Sequence, residues 1–202
     1  MKRTKEEAEQ TRQDLLVAAL TIFSRKGLEA ARLEDIAEAA GVTRGAVYHH
    51  FGGKNELYLA LMEEASQVGS QAIQKAIQEG GTFLQVVRRI LVYSLSLLEE
   101  DTRFRQVMAL SLQTSQSAGR IERERQQARS LVQSIVGFFK IGIEQGEVRP
   151  DIDPPTAARA LLGYQNGLSM LWLANREAFS IKDSADALAE IYVRGIAAQQ
   201  EV

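Results

Sequence analysis

From residue 8 onward, apolar residues recur at intervals of three and four, the spacing of one face of an α-helix. Leu15, Leu16, Ala19, Ile22 and Phe23 predict a first helix near residues 8–26, stopped at Gly27. Leu33, Ile36, Ala37 and Ala40 predict a second, short helix that ends at Gly41, because glycine enters the left-handed cap conformation without steric cost. Thr43 is a good N-cap for a third, whose Ala46 and Val47 turn inward. Phe51 then plugs the small core before Gly52 and Gly53. A long stripe (Leu57, Leu61, Ala65, Val68, Ala72, Ala76) predicts a helix over about 54–79. Further helices are expected near 83–100, 103–114 and 120–144. After Gly146, Pro150, Pro154 and Pro155 break the pattern, two more follow near 155–175 and 183–199. The expectation is an all-α chain of about nine helices: a three-helix head at residues 1–53 and a helical bundle at 54–202.

The segment Leu33–Phe51 carries the most chemistry. Two short helices joined by a sharp turn, with small Ala37 where they cross, make a helix-turn-helix. The second helix of such a motif lies in the DNA major groove with its N-terminal residues toward the bases. Arg44 suits a guanine edge, which a guanidinium contacts bidentately. Gly45 lets the backbone come close to DNA, and Tyr48, His49 and His50 offer polar and flat apolar surface one turn later. Lys54, at a helix start, makes a phosphate clamp.

Composition narrows the rest. With 45% hydrophobic and 25% charged residues in 202, the chain is long enough for real cores. Absence of cysteine excludes disulfides, thiolate zinc sites and cysteine nucleophiles, and fits a cytoplasmic location. The polar opening residues argue against secretion, and the most apolar run, 157–174, is interrupted by Arg159, Gln165 and Asn166, so no membrane span is expected. A net charge of −2 opposes nonspecific coating of nucleic acid but not sequence-specific reading. The basic cluster Lys2-Arg3-Thr4-Lys5 reads either as a solvated tail or as an arm that follows phosphates. His49 and His50 point about 100° apart on a helix and do not chelate one ion, so no metal or other cofactor is expected. Lipase-type elbows, phosphate-cradling loops and His-Glu-x-x-His motifs are missing from the sequence, so it does not read as an enzyme.

The run Thr43-Arg-Gly-Ala-Val-Tyr-His-His-Phe-Gly-Gly-Lys-Asn-Glu-Leu57 resembles the recognition helix and following helix start of TetR-family transcriptional regulators. Thr11–Gly27 looks like that family's first helix. The leader Arg3–Ala8 and the run Val42–Gly45 are similar to the AcrR/TtgR branch, which represses multidrug efflux pumps. The specific likeness covers roughly the first quarter of the chain. It implies DNA contacts from Arg32, Thr43, Arg44, Gly45, Tyr48, His49, His50 and Lys54. The family usually has Thr or Ser before its second helix; here Arg32 stands in that region, able to reach a phosphate but not to cap.

In the last two helices, Ala157, Ala160, Leu161, Tyr164, Leu168 and Leu171, with Ala158, Gly163 and Gly167, and then Ala185, Leu188, Ile191, Tyr192, Gly195 and Ile196, suit either a core or a twofold interface. The resemblance implies the interface, hence a homodimer on a palindromic operator in double-stranded DNA. It likewise implies an effector pocket for a hydrophobic small molecule, with Phe104, Met108, Phe138, Gln165, Asn166 and Trp172 as candidate lining residues. Aromatic and Met stripes at helical spacing are also what plain cores contain. The function expected is therefore a repressor released by an effector; the alternative is a structural or effector-independent DNA-binding protein on the same fold.

Overall fold

The computed structural model describes residues 4–113 and 118–198, without the side chains of 113, 118–125, 127 and 128. The described residues form nine helices: α1 (Lys5–Ala30), α2 (Leu33–Ala39), α3 (Arg44–Phe51), α4 (Lys54–Gln78), α5 (Phe83–Glu100), α6 (Thr102–Gln113), α7 (Ala118–Glu144), α8 (Pro154–Ala174) and α9 (Ile181–Ile196). The all-α expectation holds. Two sequence readings, the tip of the basic arm at Lys2 and Arg3 and a weak Glu122–Arg125 pairing, lie outside the described residues or side chains.

Helix α1 starts earlier than the apolar pattern suggests because Thr4 builds a capping box. Its hydroxyl accepts the Glu7 N–H at 3.2 Å, and the Glu7 carboxylate accepts the Thr4 N–H at 2.9 Å. Gly27, at φ +74°, interrupts α1 where the sequence predicts a stop. At α2 the Arg32 side chain makes no cap bond, but Asp35 accepts the Arg32 N–H at 3.3 Å, the other half of a capping box. Lys26 bonds the same carboxylate oxygen at 2.7 Å, and this contact holds Asp35 below the usual carboxylate range.

The chain divides into two compact units, Met1–Val68 with Arg103–Thr114, and Gly69–Thr102 with Ser115–Val202. The division between these units falls inside α4. In the first unit, Leu15, Leu16, Phe23, Ile36, Val47, Leu57 and Leu61 are completely buried, with Phe51 half-buried against them. Helix α6 belongs to this unit: Val107 and Leu110 complete its core, and Arg103 meets Glu64 at 2.6 Å.

In the second unit α5 packs chiefly against α9, and α7 against α8. Phe83 lies between Phe138 and Phe139, at ring separations of 4.5 and 5.7 Å. Gly142 makes this possible, since a Cβ there would stand 2.6 Å from the Phe83 ring. The Tyr164 and Tyr192 hydroxyls tie α8 to α9 by donating to the Leu188 and Ala157 carbonyls at 2.7 and 3.2 Å. Burial pushes the Tyr192 phenol up to about 12. An isolated antiparallel bridge, Val148 with Ala197, ends α9 short of the predicted residue 199, which lies outside the described residues.

The start of α5 accounts for all four N–H groups that a helix leaves without internal partners. Thr82 N–H donates to the Gln85 side chain and Gln85 N–H to the Thr82 hydroxyl. Phe83 and Leu84 N–H donate to the two oxygens of Glu147, at 2.9 and 3.1 Å. Burial raises the Glu147 carboxyl, but these two backbone bonds and the Thr82 contact outweigh it and leave the group lowered.

A lowered folded value means that ionised Glu147 stabilises fully above the ordinary glutamate value of about 4.3. That contribution disappears as pH falls through the lowered folded value. Glu147→Ala is expected to cost about 1 kcal/mol near neutrality. Melting curves taken between about pH 7 and pH 3 should show the gap between wild type and variant closing toward the acid end. A gap that is constant over that range would remove Glu147 as the cap.

Candidate nucleic-acid interface

The turn between α2 and α3 is held by its own backbone. Val42 N–H donates to the Ala37 carbonyl at 2.9 Å and Gly41 N–H to Glu38 at 3.0 Å, with Gly41 at φ +65°. A residue with a Cβ is strained at that angle. Thr43 caps α3 by accepting the Ala46 N–H at 3.3 Å, and Gly52 closes the helix at φ +84°. Val47 is the one side chain of α3 classed as buried; Ala46, His50 and Phe51 are half-buried. Thr43, Arg44, Gly45, Tyr48 and His49 are all exposed, on a short helix whose orientation the turn fixes.

Arg44 is held from two sides. Its guanidinium meets the Glu34 carboxylate of α2 at 2.8 Å and donates to the Tyr48 hydroxyl at 3.1 Å. It also lies 5.4 Å from the centre of the Tyr48 ring, within cation–π range. The Tyr48 bond, and then the Glu34 charge, push the guanidinium above its ordinary value. Glu34 escaped the sequence reading, because nothing in its local pattern shows that the turn brings it to Arg44.

Gly45 has ordinary helical backbone, and a Cβ built on it would touch only the Thr43 hydroxyl, at 3.7 Å. Nothing in the free protein therefore requires glycine there. His49 and His50 sit edge to face at 5.4 Å, and Arg32 is exposed at the start of α2. The Lys54 ammonium donates to the carbonyls of Glu29 and Ala31 at 2.9 and 3.1 Å, at the end of α1. A cation at a helix C-terminus complements its unpaired carbonyls and dipole. Lysine has three N–H donors, so the ammonium keeps one beyond these two bonds.

The candidate effector residues divide between the two units. Phe104 and Met108 are half-buried on α6, Phe104 against the first unit's core. In the second unit, Phe138 packs on Phe83, and Trp172 is buried with its indole N–H donating to the Phe179 carbonyl at 3.0 Å. Gln165 is half-buried on α8 and Asn166 is exposed. Also exposed on α8 are Ala160, Gly163, Gly167, Met170 and Leu171, and on α9 Ile191 and Gly195, whereas Leu161, Ala185 and Ile196 belong to the interior. The stripes read from the sequence thus contain both core and open surface. Among the described residues there is no His, Asp or Glu group fit to hold a metal ion, and no helix is long and apolar enough to cross a membrane.

Residues 15–61 match the model of the bacterial regulatory proteins of the tetR family. Residues 82–197 match that of the MAATS-type transcriptional repressor C-terminal region. The transcriptional regulator AcrR of Shigella flexneri is 33% identical over 189 residues, covering 91% of this chain and 88% of that protein. The crystal structure of NalD, the secondary repressor of the MexAB-OprM multidrug efflux pump in Pseudomonas aeruginosa, superimposes with a TM-score of 0.84. It shares 28% identity and covers 97% of this chain and 100% of its own. SmeT, the repressor of the Stenotrophomonas maltophilia efflux pump SmeDEF, has been solved in complex with triclosan. That structure has a TM-score of 0.79 at 28% identity, covering 93% and 92% of the two chains. With both family models matched and a repressor structure superimposing over nearly the whole chain, the chain belongs to the tetR family of bacterial regulatory proteins as a helix-turn-helix transcriptional repressor.

Proposed function

We propose that this repressor acts as a cytoplasmic homodimer on a palindromic operator and is released by a hydrophobic small molecule. The observation that carries the DNA-reading part is α3 itself, which buries Val47 and presents Thr43, Arg44, Gly45, Tyr48 and His49 to solvent. Arg44 reads a guanine edge, and Tyr48, His49 and His50 read or pack against neighbouring bases. Thr43, Arg32 and the remaining donor of Lys54 contact phosphate.

The exposed small and apolar residues of α8 and α9 support a four-helix twofold interface. Gly163 and Gly167 permit close approach, while Met170, Leu171 and Ile191, each more than half exposed, supply area. In that arrangement the Asn166 amide faces the partner subunit. Two heads so joined place their recognition helices about 34–36 Å apart, one turn of DNA. The effector contacts residues among Phe138, Gln165 and Trp172 in the second unit, and acts by binding the DNA-free arrangement better than the DNA-bound one. The triclosan complex of SmeT supports an apolar ligand.

Selection of bound fragments from random DNA, with wild type and Arg44→Ala in parallel, tests the DNA reading. Wild type should enrich a palindrome. Arg44→Ala should lose about 1–3 kcal/mol per half-site and its preference at one position. Equal affinity and preference in the two proteins would remove Arg44 from the reading. Gly45→Ala should leave the head as stable or raise its stability by about 0.5–1 kcal/mol, as expected for alanine in a helix. Operator affinity should nevertheless fall, because the added methyl keeps the backbone from the DNA; unchanged affinity would rule out close approach at residue 45. Triclosan should raise the melting temperature and weaken binding to the selected palindrome. If a panel of such hydrophobic compounds does neither, effector-independent DNA binding is the better reading.

A further inference from the structure

We infer that Glu34 is a specificity-determining residue, acting as a positioning partner that masks the charge of Arg44 from phosphate while leaving its fork available to a base. The inference rests on the reading of Arg44 given above. Its geometric basis is the pairing of Glu34 Oε1 with Arg44 at 2.8 Å across the helix-turn-helix, with Tyr48 on the other side at 3.1 Å. Both charged side chains are more than half exposed, so the pair lies open on the head and is not a core contact.

Of the five N–H donors of a guanidinium, the Tyr48 bond takes one and the Glu34 ion pair occupies a second. Three remain, enough for a bidentate contact to the O6 and N7 acceptors of guanine. What the pair alters is long-range attraction. An unpaired guanidinium on a recognition helix is drawn to any phosphate, the term that dominates nonspecific binding and its salt dependence. A carboxylate beside it cancels most of that attraction, and repels phosphate itself. Hydrogen bonding to a base edge depends on the position of the donors and survives the cancellation. Glu34 thus lowers affinity for random sequence more than for the operator, and together with Tyr48 it restricts the guanidinium to one orientation. Tyr48 accordingly has a role on Arg44 as well as any contact of its own.

The test is a double-mutant cycle. Binding of wild type, Glu34→Gln, Glu34→Ala, Arg44→Ala and Glu34→Gln/Arg44→Ala is measured against the duplex selected by the wild type and a scrambled duplex of equal composition, across a salt series. Glu34→Gln keeps an acceptor for Arg44 but not the charge. It should bind the scrambled duplex about three- to tenfold more tightly at low salt, with a salt slope steeper by about 0.9, the increment of one phosphate contact. Its operator affinity should change much less, so the ratio of the two falls. Glu34→Ala, which also frees the guanidinium, should lose operator affinity in addition. In the Arg44→Ala background the Glu34→Gln effect should vanish.

If Glu34→Gln leaves the scrambled-duplex affinity and slope unchanged, the proposal is wrong. It is also wrong if the change is equally large without Arg44, since that would be plain repulsion between a surface carboxylate and DNA. Should Arg44→Ala itself alter neither affinity nor preference, the assignment of Arg44 fails, and the role of Glu34 falls with it. Thermal melts of each variant establish that the head is folded.

Discussion

A helix begins with backbone N–H groups that have no acceptor inside it, and the architecture here depends on how each start is completed. Some starts are completed locally, as at Thr4 with Glu7, at Thr82 with Gln85 and at Thr43. Others recruit a side chain from far along the chain. Glu147 accepts two N–H groups at the head of α5, and Glu99, at the end of α5, accepts from Ser180 and Lys182 at the head of α9, at 2.9 and 3.0 Å. Lys54 does the converse for the carbonyls at the end of α1. Because an unsatisfied buried backbone group is expensive, each of these bonds also fixes where one helix lies against another. The second unit is stitched in this way from the segment after α7 to α5 and from α5 to α9, with the Tyr164 and Tyr192 hydroxyls closing α8 on α9.

The recognition helix follows the opposite rule. Its cap comes from the preceding residue and its stop from a glycine. The charged contact it makes, Arg44 with Glu34, is at the surface and half exposed at both partners. Exposed pairs of this kind contribute little to stability, which suits a group proposed to reach a base edge.

The helix-turn-helix was legible in the sequence because its determinants are local. Gly41 and Gly52 stand where positive φ is needed, Thr43 where a cap is needed, and Ile36, Ala37 and Val47 at the spacing of a buried face. Helix boundaries were less legible where a partner distant in sequence decides them. The end of α9 is set by the bridge between Val148 and Ala197, and no alternation in either segment announces it. The apolar pattern of α6 shows a buried face but not which core receives it; Val107 and Leu110 turn out to belong with the head. Asp35 accepts the N–H of Arg32, which itself makes no side-chain cap, and the acidic residue three places beyond the cap was the available signal. Among the candidate site residues, exposure on α3 follows from helical phase alone. The Glu34 contact depends on the angle of the turn, and a stripe containing Phe138 or Trp172 has the same spacing whether it faces a ligand or, as Phe138 does with Phe83, another ring.

Val47 is the one side chain of the recognition helix classed as buried, with Ala46, His50 and Phe51 only partly covered. The positions that face solvent, 44, 45, 48 and 49, can therefore be replaced during descent with little disturbance to the core around Phe23 and Ile36. The address that the protein reads and the durability of its fold are free to drift separately. On the proposed reading of α3, a lineage can acquire a new operator through substitutions at these four sites, while the scaffold that presents them stays as it was.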